Sequence, residues 1–227
     1  CYRACRCRYL SDVTHKVDSM NSDRTLFEEE CHANGLMYVA GVDEVGRGPL
    51  AGPVVTASVI FPPGFRHSDI KDSKKLTEAK RISLVDIIKQ NAVCWNVDIG
   101  SIEEIDRINI LQATWESMRR VVNGLSVFPD AVLVDGNPVP QLHSRCTPIV
   151  KGDDKSVTIA AASILAKVTR DNIMIDAHKQ FPVYGFDRHK GYPSPDHLAA
   201  LRKFGPCPLH RRSYAPVAQA ELDFGID

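Results

Sequence analysis

The sequence predicts an α/β fold, a mixed sheet of about five strands with helices on its faces. Three observations lead there. Short β-branched, apolar runs recur along the chain, each closed by a cluster of turn residues. The stretches between them carry apolar residues at helical spacing. Helix-capping residues stand where those stretches begin.

Residues 37–43 and 54–61 are apolar runs separated by a Gly/Pro-rich turn, and Pro62-Pro63-Gly64 ends the second. Thr77 is placed to cap a helix on which Ile82, Val85 and Ile88 recur at helical spacing. Residues 92–99 form a third strand of alternating character. Ser101 with Glu104, and Asn109 with Gln112, make two capping boxes, so two helices are expected over 102–107 and 110–123, with Gly124 stopping the second. Residues 131–134 are a short, wholly apolar strand ending at Asp135-Gly136, and residues 146–151 another ending at Gly152-Asp153-Asp154. A helix then starts near Ile159 and runs to about Gln180; its small-residue face (Ala160, Ala161, Ala162) suits a close approach to a sheet. Residues 183–227 hold several Pro and Gly and one helix near 196–204. The resulting order is β-β-α-β-α-β-β-α.

The chain has 227 residues, enough for one full core. With 44% hydrophobic and 25% charged residues it has an ordinary globular composition. Its formal net charge is zero, so any nucleic-acid contact must come from local patches. Residues 71–89 and 167–212 are locally basic, which also fits a solvated face. No run is long and apolar enough for a membrane helix, and the first residues lack a signal-peptide pattern. Seven cysteines, an odd number and mostly far apart, argue against a disulfide framework and for a reducing cytoplasm. Cys1, Cys5 and Cys7, with His15 further on, lack a fourth ligand at structural-zinc spacing. Residues 1–22 are expected to be a disordered extension outside the working domain, Met20 beginning a more typical polar lead-in.

Three expected strands end in carboxylates, at Asp43-Glu44, Asp135 and Asp153. In α/β sheets, sites gather beyond the carboxyl ends of the strands, so these tips can form one acidic cluster. Each aspartate alone reads equally as a turn former. Clustered carboxylates need a neutralising hard cation, and Mg²⁺ or Mn²⁺ prefers oxygen ligands. Two such ions about 4 Å apart can activate water and stabilise the leaving oxygen in phosphodiester cleavage. Gly46 and Gly48 allow close backbone approach to a ligand, and Arg47 between them suits an anionic strand.

Taken together, the motifs resemble those of type 2 ribonucleases H, specifically the bacterial ribonuclease HII branch. The resemblance runs from Tyr38 to Val217. It includes residues 40–54 around Asp43-Glu44-Val45-Gly46-Arg47-Gly48, then Lys71-Asp72-Ser73-Lys74-Lys75 and residues 105–114. Val134-Asp135-Gly136-Asn137, Lys151-Gly152-Asp153, residues 159–171, His189-Lys190-Gly191-Tyr192-Pro193 and His210-Arg211-Arg212-Ser213-Tyr214 follow in the same order. The resemblance implies a ribonuclease H-like core over 23–182 and a small helical, substrate-contacting C-terminal part over 183–227. It implies Asp43, Glu44, Asp135 and Asp153 as metal-binding catalytic acids; the Lys-Gly-Asp pattern selects Asp153 over Asp154. It implies Gly46-Arg47-Gly48 as the turn that follows the nucleic-acid strand around a 2′-hydroxyl, the one group that marks a ribonucleotide. Tyr192 would pack on the deoxyribose beyond that ribonucleotide, and Ser73, Lys74 and Lys75 would contact phosphate. Asp171 reads as a structural helix residue. Ser194 stands where the family commonly has Thr, keeping the hydroxyl.

The implied activity is endonucleolytic hydrolysis of RNA in RNA–DNA hybrids and nicking 5′ to ribonucleotides in duplex DNA, with Mn²⁺ or Mg²⁺, by a monomer. A replication clamp is a further candidate partner through the tail 221–227. A non-catalytic hybrid-binding module would require replaced acids, and all four are present. A phosphotransferase would require a Gly-Lys-Ser/Thr loop, which the chain lacks.

Overall fold

A computed structural model describes residues 24–225, so the expectations for residues 1–22, including Cys1, Cys5 and Cys7, lie outside the described residues. Five strands make one sheet: β1 (Val39–Val45), β2 (Val54–Ile60), β3 (Cys94–Gly100), β4 (Ala131–Asp135) and β5 (Cys146–Ile149). Their order is β3-β2-β1-β4-β5. β1 runs antiparallel to β2 and parallel to β4, so the sheet is mixed, as expected. A first helix, α1 (Leu26–Ala33), precedes β1; α2 (Glu78–Asn91) and α3 (Ile102–Asn123) flank β3. Beyond β5 come a one-turn helix α4 (Gly152–Lys155), the long α5 (Val157–Gln180), the short α6 (Phe186–His189), α7 (Pro195–Phe204) and α8 (Ala215–Phe224). No described helix is long and apolar enough to cross a membrane.

Strand alternation divides the core into two layers. Val55, Ala57 and Val59 of β2 pack with α2 and α5 on one face. Ala40, Val42, Val132 and Val134 pack with Met118, Val121 and Val122 of α3 on the other. The small residues of α5 do what their size suggested. A Cβ on Gly41 would collide with the α5 backbone at Thr158 and Ile159, so helix and sheet approach as closely as glycine permits. The start of α5 is pinned by Glu28 of α1, whose carboxylate accepts from Ser156 Oγ (2.6 Å), Thr158 Oγ1 (2.7 Å) and Thr158 N (3.0 Å).

Both N-cap bonds form, Ser101 Oγ accepting from Glu104 N at 3.1 Å and Asn109 Oδ1 from Gln112 N at 3.1 Å, while the Glu104 carboxylate that would complete the first box turns to Arg120 Nη1 at 2.9 Å. Asn109 has φ 66°, so α3 is two helices meeting at a kink, which the paired caps foretold. Three expectations need correction. The first strand lies two residues later than expected, placing Asp43 and Glu44 inside β1 rather than at its tip. The last strand stops at Ile149, and Asp153 sits in α4. On α2 the buried residues are Leu84 and Ile88, while Ile82 is exposed. Gly124 ends α3 as expected, at a φ of −87°, and a Cβ there would press on the Asn96 side chain. Helices α1 and α8 were not anticipated. Each is short, and in α8 only Val217 and Ala220 are buried, too few to show a period.

Candidate metal centre and strand-binding loop

Asp43 falls on the α5 face of β1, one rung beyond the Val42–Val134 pair that ties β1 to β4. Asp135, ending β4, lies on the same face because it keeps phase with Leu133. The turn after β5 swings back into α4 through Lys151, a left-handed residue (φ 55°), and delivers Asp153. Oxygens of Asp43, Asp135 and Asp153 lie within 4.8 Å of one another. The cluster is built into the fold: Gly152 N donates to Asp135 Oδ1 at 2.6 Å and Glu44 N to Asp43 Oδ1 at 2.7 Å.

Glu44 is placed differently. Alternation turns it away from Asp43, and its carboxylate meets Arg47 Nη1 at 3.3 Å. It remains electrostatically close, since burial and then the Glu44 charge push the Asp43 carboxyl well above the ordinary range. Burial raises Glu44 as well, against the pull of Arg47. Burial followed by Asp135 raises Asp153. Three hard oxygen donors whose charged forms oppose one another are a fit for a divalent cation. Asp43, Asp135 and Asp153 would hold it, with Glu44 bordering them.

The signs give a test. In metal-free protein these raised carboxyls bind more protons folded than unfolded, so stability falls as pH rises from the ordinary carboxylate range through their raised values. Divalent cation reverses this above that window. Saturating Mn²⁺ or Mg²⁺ at neutral pH is expected to add about 2–3 kcal/mol at a hundred times its dissociation constant. That is several degrees in Tm for a chain of this size, fading on acidification. A Tm that ignores the metal at every pH would refute the centre.

The lysines separate. Lys74 Nζ lies 3.5 Å from Asp153 Oδ2, whereas Lys75 Nζ is engaged with Asp154 at 2.6 Å. They stand on a 3₁₀ turn, Ser73–Lys75, started by Asp72, whose side chain accepts from Lys74 N at 2.9 Å. Ser73 is buried, and its N–H faces Ser163 Oγ of α5 at 3.3 Å. Asp171 is outside the carboxylate cluster; it pairs with Lys167 (2.8 Å) and Arg81 (3.9 Å). Arg81 in turn donates to the Ser73 and Leu76 carbonyls, so Asp171 supports the lysine turn from behind.

Beyond β1 the loop from Gly46 to Pro53 turns on Gly46 (φ 99°) and Gly52 (φ 87°). Two fully buried arginines, to which no motif assigned a role, hold it. Arg170 donates to the carbonyls of Pro53 (2.9 Å), Lys190 (2.9 Å) and Ala51 (3.0 Å). Arg211 donates to those of Gly52 (2.9 Å), Arg47 (3.1 Å) and Gly46 (2.6 Å), and to Tyr214 Oη (3.0 Å). Among the described residues neither is paired with a carboxylate. Burial, then the Arg211 charge, lowers Arg170 to about 10, still cationic at neutral pH. A Cβ on Gly46 would collide with the Arg170 side chain. The half-exposed Tyr192 ring stands 3.7 Å from where a Gly48 Cβ would be, so the loop and the tyrosine share one surface. Both arginines were visible in the sequence within recurring motifs, but nothing in their spacing marks them as buried.

The comparison with known families decides the assignment: the model described as Ribonuclease HII matches residues 40–217. The chain belongs to the ribonuclease HII family. A ribonuclease HII of Chlamydia caviae is 51% identical over 197 residues, covering 86% of this chain and 92% of that protein. The crystal structure of the ribonuclease H2 from Pyrococcus horikoshii superposes with a TM-score of 0.73 at 27% identity, covering 84% of this chain and all of that one. An Archaeoglobus fulgidus ribonuclease HII, solved in complex with PCNA, gives 0.67 at 26% identity over 78% of this chain and 95% of that one. Membership makes this chain a ribonuclease H, a divalent-metal-dependent hydrolase of RNA in RNA–DNA hybrids.

Proposed function

We propose that this ribonuclease HII-family chain also nicks duplex DNA on the 5′ side of an embedded ribonucleotide, leaving 3′-hydroxyl and 5′-phosphate ends. One observation carries the reading: β1 runs from the carboxylate cluster at Asp43 into the Gly46–Gly48 loop within three residues, and Tyr192 borders that loop. Three residues span at most about 11 Å, so a strand following the loop brings its backbone to the acids.

Asp43, Asp135 and Asp153 hold the cation, and Glu44 is assigned to the same centre once Arg47 turns to the strand. Two bound divalent ions, Mn²⁺ or Mg²⁺, would supply an activated water and stabilisation of the leaving oxygen. The chain's own part is positioning. The peptide groups of Gly46, Arg47 and Gly48 follow the strand where no side chain obstructs them, and they read the 2′-hydroxyl, which deoxyribose lacks. Tyr192 packs on the sugar beyond it. Lys74, near the acids, contacts phosphate, with Ser73 and Lys75 completing that turn. Such contacts position without reading bases, so cleavage is independent of sequence.

The test is purified chain with Mn²⁺ or Mg²⁺ on a DNA duplex holding one ribonucleotide, beside an all-RNA hybrid. The expected result is a single nick with a 3′-hydroxyl that a polymerase extends and a 5′-phosphate that a phosphatase removes; an intact duplex refutes the reading. On the same substrates Lys74→Ala is expected to lower kcat/KM about tenfold at moderate salt and to flatten its salt dependence. Lys75→Ala, already engaged with Asp154, should change it less.

The protein is taken to act as a monomer in a reducing cytoplasm, where its buried thiols Cys31 and Cys94 stay reduced. A replication clamp is a candidate partner, as in the Archaeoglobus fulgidus complex with PCNA; co-elution of chain and clamp checks it.

A further inference from the structure

Behind Tyr192 lies a buried group of histidines. His197 and His210 are almost wholly inaccessible, and their Nε2 atoms are 3.0 Å apart. His189 stacks on His197 with ring centroids 4.5 Å apart, and Phe186 packs edge-on to His197. The ends of this arrangement set its protons. Cys207 N donates to His210 Nδ1 at 3.0 Å, so that nitrogen is bare and the ring proton of His210 sits on Nε2. His197 Nδ1 lies 2.9 Å from the Tyr192 carbonyl, which can only accept, so His197 carries its proton on Nδ1. The hydrogen bonds then run in one direction, from Cys207 through His210 and His197 to Tyr192, with every ring nitrogen partnered. Both rings must be neutral for this. Burial favours that, lowering His197 and holding His210 down to about 4.

A buried histidine pair is most simply core, but two connections distinguish this one. Its acceptor end is the peptide of Tyr192, whose carbonyl also accepts the local turn bond from Ser194 N (2.8 Å). Its donor end is the segment that bridges Ala51 and carries Arg211, the side chain clamped on Gly46 and Arg47. The pair therefore joins the two halves of the strand-binding surface through oriented bonds, which apolar side chains of the same size would not supply.

We infer that His210 and His197 are positioning residues: their directed hydrogen bonds set the Tyr192 peptide, hold its ring beside Gly48, and thereby set the preference for a ribonucleotide–deoxyribonucleotide junction over continuous RNA. This rests on the proposed role of Tyr192. Neither histidine touches the strand.

The experiment compares kcat/KM on the one-ribonucleotide duplex and on the all-RNA hybrid, with full chain and metal. Tyr192→Ala is expected to lower the ratio about tenfold, as loss of one packing contact on the strand would. The double variant His197→Phe, His210→Phe keeps aromatic rings in place and removes the bond between them as a pair, at the cost of the outer bonds to Cys207 N and the Tyr192 carbonyl, so its rates are read well below its own melting point. It should lower the ratio as much, and adding Tyr192→Ala to it should lower the ratio no further. His210→Gln, which still donates toward His197, should recover most of the ratio. Nitrogen-15 spectra of the native protein should show the Nδ1–H tautomer at His197 and Nε2–H at His210; the opposite pair overturns the inference whatever the variants' stability. A ratio that depends on Tyr192 but ignores the histidines overturns it alone. A native chain that cuts neither substrate overturns the proposed function as well.

Discussion

Asp43→Asn is expected to reduce cleavage by about a thousandfold or more while making the metal-free protein more stable. The two effects have one origin. Asp43 is buried on the α5 face, with Asp135 and Asp153 oxygens within 4.8 Å. Without a cation its negative charge is unfavourable, as its raised carboxyl shows. Asparagine keeps an oxygen to accept the Glu44 N–H at 2.7 Å and deletes the charge. Each kcal/mol of relieved repulsion is worth about 2–4 °C in Tm for a chain of this length. In the proposed centre the same charge would hold a divalent ion, whose loss would remove several kcal/mol of transition-state stabilisation, about tenfold in rate per 1.4 kcal/mol. Melting curves with and without Mn²⁺, beside rates on the one-ribonucleotide duplex, separate the two. The variant should melt higher than the native chain without metal and gain little when metal is added. An Asp43→Asn variant that keeps native rates would remove Asp43 from the reaction.

Arg211→Ala is expected to be the most destabilising single change at the proposed strand-binding surface, although Arg211 itself is fully buried beneath it. Its guanidinium is buried and satisfies three carbonyls, of Gly46, Arg47 and Gly52, and the hydroxyl of Tyr214. Alanine takes their donor from the buried Gly46 and Gly52 carbonyls, while the Arg47 carbonyl keeps the Tyr214 hydroxyl at 2.6 Å; at roughly 1–3 kcal/mol for each buried group, with a cavity beside them, a loss of about 4 kcal/mol is a moderate expectation. Tm should then fall by about 10 °C. Arg211→Lys should recover little, because an ammonium is a point donor and cannot reach the fork of carbonyls together. Urea unfolding, followed by circular dichroism, measures the loss through the midpoint. Activity assayed well below the lowered midpoint should still be impaired, since the Gly46–Gly48 peptides lose their fixed orientation. A midpoint within experimental error of the native value would mean that the clamp contributes nothing.

Much of this was legible in the chain itself. Buried strands are written as β-branched runs, and caps such as Ser101, Asn109 and Thr77 act through bonds to residues three positions away; all three form. Those signals are local, so they survive without tertiary context. Ile82 misled because helical spacing alone does not say which side of a helix meets the sheet, and Leu84 with Ile88 took that side.

The site divides along the same line. The sequence by itself determined which acids are present, their order, and the family to which the motifs belong. It also posed the problem of Asp43 beside Glu44. Only the tertiary structure answered it. Alternation along β1 puts Asp43 with Asp135 on the α5 face, the turn through Lys151 brings Asp153 to them, and Glu44 is left to Arg47. Likewise Lys74 and Lys75 are neighbours in the chain, yet one faces Asp153 and the other Asp154. Arg170 and Arg211 carried no sign of burial, because their partners are carbonyl oxygens from distant loops, a group every residue has. A backbone acceptor leaves no mark in the sequence, so its partner is visible only once the chain has folded around it.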